Sequence, residues 1–77
     1  MVELVAELAR RLVDEPGAVR VEELEEEDGT LVLRLHVAEA DIGKVIGRQG
    51  RLARALRTIV RAGGVDAGRR LQLEIVD

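Results

Sequence analysis

Two glycines three residues apart, Gly47 and Gly50, interrupt a stretch in which apolar residues otherwise recur at helical spacing. Ahead of them Ile42, Val45 and Ile46 form one stripe; behind them Leu52, Leu56, Ile59 and Val60 form another. Glycine is the poorest helix former after proline and enters left-handed backbone without penalty, so the segment Gly47-Arg48-Gln49-Gly50 predicts a break. The expectation is two helices joined by that turn, with Gly47 supplying the left-handed end of the first. Asp41 reads as the N-cap of the first helix, and Gly63-Gly64 as the end of the second.

The remaining elements follow from the same kind of pattern. Val2, Val5, Leu8, Leu12 and Val13 predict an amphipathic helix that Pro16-Gly17 stops. Val19 and Val21 alternate with polar residues, Asp28-Gly29 signals a two-residue hairpin, and Leu31, Leu33, Leu35 and Val37 alternate cleanly. Pairing through a two-residue turn places Glu22 opposite Leu35, so a bulge near Glu22-Glu23 is expected to return Val21 and Val19 to the core side. Leu71, Leu73 and Ile75 predict a last strand. The fold class is α+β: one domain over residues 1–77, in the order α-β-β-α-α-β, with helices packed on one face of a three-stranded sheet.

Composition removes several function classes. No Phe, Trp or Tyr occurs, so aliphatic side chains must build the core and no aromatic shelf exists for stacking bases. There is no Cys, and a single His cannot assemble a zinc site; no metal and no cofactor are expected. Ser is also absent, and Thr30 and Thr58 have no base near them in sequence, so no nucleophile is credible and the chain is read as non-catalytic. The absence of a long apolar run or leader pattern points to a cytoplasmic protein without a membrane partner. His36 is expected to sit beside Arg20 as an ordinary surface residue, and the acids of residues 22–28 to form a solvated hairpin.

Charge is distributed unevenly. The chain carries −3 overall, yet residues 1–43 sum to −8 and residues 44–77 to +5. Between residues 44 and 65 there are six basic residues and no acid. Arg51, Arg54, Arg57 and Arg61 share about a third of the helix circumference, opposite Leu52, Leu56 and Ile59. Like charges at these spacings repel, so a compensating anion is expected. The turn beside them points to a phosphate chain: glycines admit a close approach, and a helix start attracts anions. The mononucleotide loops G-x-x-x-x-G-K-[ST] and G-x-G-x-x-G are both absent.

The segment "IGKVIGRQGRLARALRTIV" resembles the V-I-G-x-x-G signature of KH domains, and the element order resembles the bacterial, type II form of that fold. Over essentially its whole length the chain is similar to the small stand-alone bacterial KH proteins of the KhpA type. The resemblance implies that Gly47, Arg48, Gln49 and Gly50, with Lys44, Arg51 and Arg54, hold the backbone of single-stranded RNA. It further implies a base groove lined by Ile42, Gly43, Val45, Ile46 and Leu52. It also implies an RNA-chaperone role, a link to cell shape or cell-wall control, and pairing as a homodimer or with a larger KH-containing protein. A module that acts only by docking on a protein partner is the alternative. Double-stranded DNA binding by a helix-turn-helix is disfavoured, because a glycine turn suits backbone grip better than groove insertion.

Overall fold

The computed structural model describes residues 1–76, with the side chain of Arg48 outside the described part. Helix α1 (Val2–Leu12) is followed by a short 3-10 turn (Pro16–Ala18) and by strands β1 (Arg20–Glu25) and β2 (Leu31–His36). A long helical run, α2 (Glu39–Ala67), leads to strand β3 (Leu71–Val76). The sheet has the order β1-β2-β3, antiparallel between β1 and β2 and parallel between β2 and β3. The parallel step requires a crossover, and α2 is that crossover. Gln49 and Gly50, at φ 62° and 69°, divide α2 into a first arm (39–48) and a second arm (51–67), so the expected α-β-β-α-α-β order is the observed one.

Alternation decides which face the helices cover. Leu33 and Leu35 of β2 and Leu73 of β3 point to the helix side and are buried. They meet Val5, Ala6 and Ala9 of α1 and Leu56 and Val60 of α2 in one aliphatic cluster, joined by Val19. Small residues at positions 6 and 9 let α1 lie close to the sheet. The opposite face carries polar pairs: Arg34 Nε donates to Glu74 Oε1 at 3.1 Å, and His36 pairs with Glu22. His36 does lie across from Arg20, but its bond is to Glu22. That bond holds the Glu22 carboxyl below its ordinary value, so its contribution to stability is present at neutral pH and is lost on acidification through the lowered value.

Three local expectations are corrected. Val21 pairs with Leu35 and Glu22 with Arg34 without any bulge at Glu22-Glu23. The extra residue sits in the turn: Glu26 and Thr30 close a three-residue loop in which Gly29 takes φ 89°. Thr30 N–H donates to Asp28 Oδ1 at 2.9 Å, which fixes that loop and lowers the Asp28 pKa. Gly47 does not supply the left-handed residue, which falls instead at Gln49 and Gly50. The second arm does not stop at Gly63-Gly64 but runs to Ala67, where Gly68 (φ 68°) ends it.

That ending explains Gly64. Arg69 N–H donates back to the Gly64 carbonyl at 2.8 Å and Gly68 N–H to Val65 at 3.2 Å, the paired bonds of a Schellman ending. The returning chain lies so close that a β-carbon at Gly64 would sit 2.5 Å from the Arg69 carbonyl oxygen. Gly64→Ala is therefore expected to destabilise the fold by about 1–3 kcal/mol, read from the urea unfolding midpoint at unchanged slope.

Candidate nucleic-acid interface

The turn between the two arms is the centre of the site. Gln49 and Gly50 leave helical space together, and the carbonyl of Gln49 accepts from Arg54 Nη2 at 2.7 Å. An arginine from the first turn of the second arm thus satisfies the end of the first, as basic side chains do at helix C-termini. The second arm begins at this elbow and presents the positive end of its dipole there. For Arg48 only the backbone position, within the turn, is described; its expected reach toward an anion falls outside the described part.

Gly43 and Gly47 pose a different question from Gly64. Neither has positive φ, and a β-carbon on either would meet no described heavy atom within 4 Å. Packing does not require glycine at these positions, and each costs helix stability relative to alanine. Both lie on the wall of a groove of ≈ 540 Å³, whose other walls are Leu12, Lys44, Arg51 and Leu52. Gly50 likewise has open space beside it. The glycines keep this surface bare.

The other expected site residues are distributed around that feature. Gly43, Lys44, Gly47, Arg51 and Leu52 come together in the groove. Ile42 and Ile46, four residues apart, share a flank of the first arm next to the glycines, outside the groove walls; Ile46 is 46% exposed. Val45 is 2% exposed and does not line the groove. Leu12 was not expected there; its place at the end of the Leu4, Leu8, Leu12 spacing, a second apolar stripe beside Val5 and Ala9, is the sequence signal for it. Asp41 does not cap the first arm, whose N-cap is Ala38. It is buried, and its carboxylate accepts the backbone N–H groups of Asp14 and Glu15.

Electrostatics single out the second arm. Six basic residues elsewhere are matched: Arg10 and Arg11 with Glu7, Arg34 with Glu74, Lys44 with Asp14, Arg69 with Glu25, and Arg70 with Asp28. Among the described residues, Arg51, Arg54, Arg57 and Arg61 have no carboxylate within 4.0 Å, and all four are exposed; Arg20 is the one other arginine so placed. Arg57 and Arg61 also border a smaller hollow of ≈ 260 Å³ beside Leu71, Gln72 and Leu73. The polar hollow at the far end holds Arg69 and Arg70, whose charges the hairpin already neutralises. Among the described residues there is no cluster of His, Cys, Asp or Glu able to hold a metal, and no helix long and apolar enough to cross a membrane.

An aliphatic α/β layer with a glycine elbow between two helical arms is a recognisable arrangement, and comparison with known proteins places it. Residues 2–75 match the family described as the KH domain of KhpA/KhpB. The chain belongs to that family. It is 51% identical to the RNA-binding protein KhpA of Treponema pallidum (strain Nichols), over 97% of this chain and 92% of the relative. It is 47% identical to the RNA-binding protein KhpA of Bacillus subtilis (strain 168), over 97% of this chain and 91% of that one. Among solved structures, the crystal structure of a point variant of Aquifex aeolicus Era bound to GDP.AlF4- is similar in fold, with a TM-score of 0.59 at 22% identity. That match covers 96% of this chain but only 28% of the Era chain.

The two kinds of glycine make opposite predictions within this KH domain. Gly43→Ala and Gly47→Ala are each expected to raise stability, by about 0.5–1 kcal/mol. Gly50→Ala, forced to keep its left-handed backbone, is expected to lower it by about 1–2 kcal/mol. Urea denaturation of the three variants beside the parent checks all three signs.

Proposed function

We propose that this chain is a non-catalytic protein that binds single-stranded RNA through the Gly47-Arg48-Gln49-Gly50 turn. The observation that carries the reading is the pair of helical glycines, Gly43 and Gly47, held at a cost in stability with only open space beside them. A ligand that must approach the main chain closely accounts for them. The unmatched arginines of the second arm give that ligand its charge, and the homologues named RNA-binding protein KhpA give its class. In this reading Arg48 and Gln49 meet the sugar–phosphate backbone at the tip, while Arg51 and Arg54 hold phosphates at the start of the second arm. Lys44, bonded to Asp14, adds its charge from the wall of the groove.

Bases then lie against apolar surface without stacking on aromatics. Ile42, Ile46, Leu52 and the bare Gly43 offer that surface, and Val45 supports it from beneath. A module this small touches few bases, so we expect weak binding with little sequence preference, in keeping with an RNA chaperone acting in the cytoplasm. A role in cell shape or cell-wall control is part of the same proposal.

A protein contact accompanies this activity. Met1, Leu4 and Leu12 are 41%, 47% and 40% exposed, and Leu4, Leu8 and Leu12 lie along one stripe of α1. That stripe suits a second copy of the chain or a larger KH-containing partner.

Binding of short single-stranded RNA should have a log–log salt slope of roughly −2 to −3, because each neutralised phosphate contributes about −0.7. Replacing Arg48 and Gln49 together by Asp should abolish binding and leave the thermal unfolding curve essentially in place. Undiminished binding by the double variant would remove the turn from the site.

A further inference from the structure

We propose that Asp41 is a positioning residue for RNA binding: it fixes the first arm of α2, and with it the glycine turn, against the segment that leaves α1. The inference rests on the RNA-binding reading above. The first arm is poorly anchored by apolar packing. Of its described side chains only Val45 and Asp41 are buried, at 2% and 1% exposure, while Lys44 and Ile46 are exposed. One valine is a small anchor for an arm that must hold a ligand-binding turn in a fixed place. The carboxylate supplies what the valine does not.

The geometry is that of a clamp. Asp41 Oδ1 accepts the backbone N–H of Asp14 at 3.1 Å and Oδ2 that of Glu15 at 3.0 Å, 27 and 26 residues earlier in the chain. One helical turn on, Lys44 Nζ donates to Asp14 Oδ1 at 2.9 Å. Two side chains of the arm therefore hold one dipeptide, from below and from the surface. That dipeptide begins two residues past Leu12, a wall of the groove, and α1 is itself fixed to the sheet through Val5, Ala6 and Ala9. The chain of contacts runs from the core through α1 and Asp14-Glu15 to Asp41 and the turn.

The carboxylate has no equivalent substitute. Its two oxygens meet two part-buried main-chain donors, in hydrogen bonds strengthened by the carboxylate charge. Asparagine keeps one acceptor and turns an NH2 group toward the second amide. The arm then loses its fixed position while its own glycines and arginines remain unchanged. Loss of a pre-set arrangement weakens affinity by the fraction of molecules that still adopt it.

The test compares Asp41→Asn with the parent and with Gly64→Ala, a destabilised control remote from the groove, at a temperature where all are folded. Binding of a short fluorescent single-stranded RNA of random sequence is measured across a salt series. Amide hydrogen exchange is followed at Asp14 and Glu15. For Asp41→Asn we expect lost protection at those two amides and a Kd raised about tenfold, as when a tenth of the population remains competent. Its salt slope should equal the parent's, because the phosphate contacts are intact, and Gly64→Ala should bind like the parent. Should Asp41→Asn not fold, Asp41→Glu, which keeps both acceptors on a longer stem, is read in the same way. Parental affinity with lost protection overturns the positioning role, and retained protection overturns the clamp. If the parent binds no RNA, the RNA-binding reading itself falls.

Discussion

The left-handed pair at Gln49 and Gly50 sets the relation between the two halves of this fold. A straight 29-residue helix, roughly 44 Å long at 1.5 Å per residue, would overrun the three six-residue strands beneath it. The break turns the chain so that Val45 faces inward on the first arm and Ala53, Leu56 and Val60 on the second. Arg54 ties the two arms across the break by bonding to the Gln49 carbonyl. The residues that make the crossover fit the sheet are thus the ones exposed at its outer corner. In the proposed reading, folding and RNA binding place their demands on the same few backbone angles.

Around that corner the molecule separates its charges. The hairpin acids take up the arginines that follow the second arm, Arg69 and Arg70, and Glu7 takes up Arg10 and Arg11. Such exposed pairs contribute little individually, on the order of 0–1 kcal/mol each. Their effect is on the field: positive charge left unmatched is concentrated on the second arm, beside the turn. An acidic protein can present a cationic face in this way, with the opposite sign gathered on its hairpin edge.

Much of this was legible in the sequence because it follows from periodicity. The alternation in Leu31, Leu33 and Leu35 had one physical reading, and the element order followed; the acid-free run over residues 44–65 left the second arm's arginines without acidic neighbours in sequence. What was not legible depends on contacts between distant residues. The helix end at Gly68 rather than Gly64 is set by a returning strand, and glycine at 64 serves that approach rather than ending the helix. Asp41 stands where an N-cap is expected, but its partners lie 26 and 27 residues away, which no local pattern reveals. The missing residue of the hairpin register was read as a bulge in the strand, when a three-residue turn absorbs it with one left-handed glycine. The groove was only partly foreseen. Its glycines stood out, whereas Leu12 enters it through the docking of α1.

The central claim is that a single strand of RNA is held by main chain laid bare at residues 47–50. Following the backbone amide signals during titration with short single-stranded RNA tests it most directly. The account predicts that the signals of Gly47, Gln49, Gly50, Arg51 and Arg54 move first and furthest, saturating together, while those of the β1–β2 hairpin stay still. Saturable shifts centred on the hairpin or the open sheet face, with residues 47–54 unmoved, would contradict it.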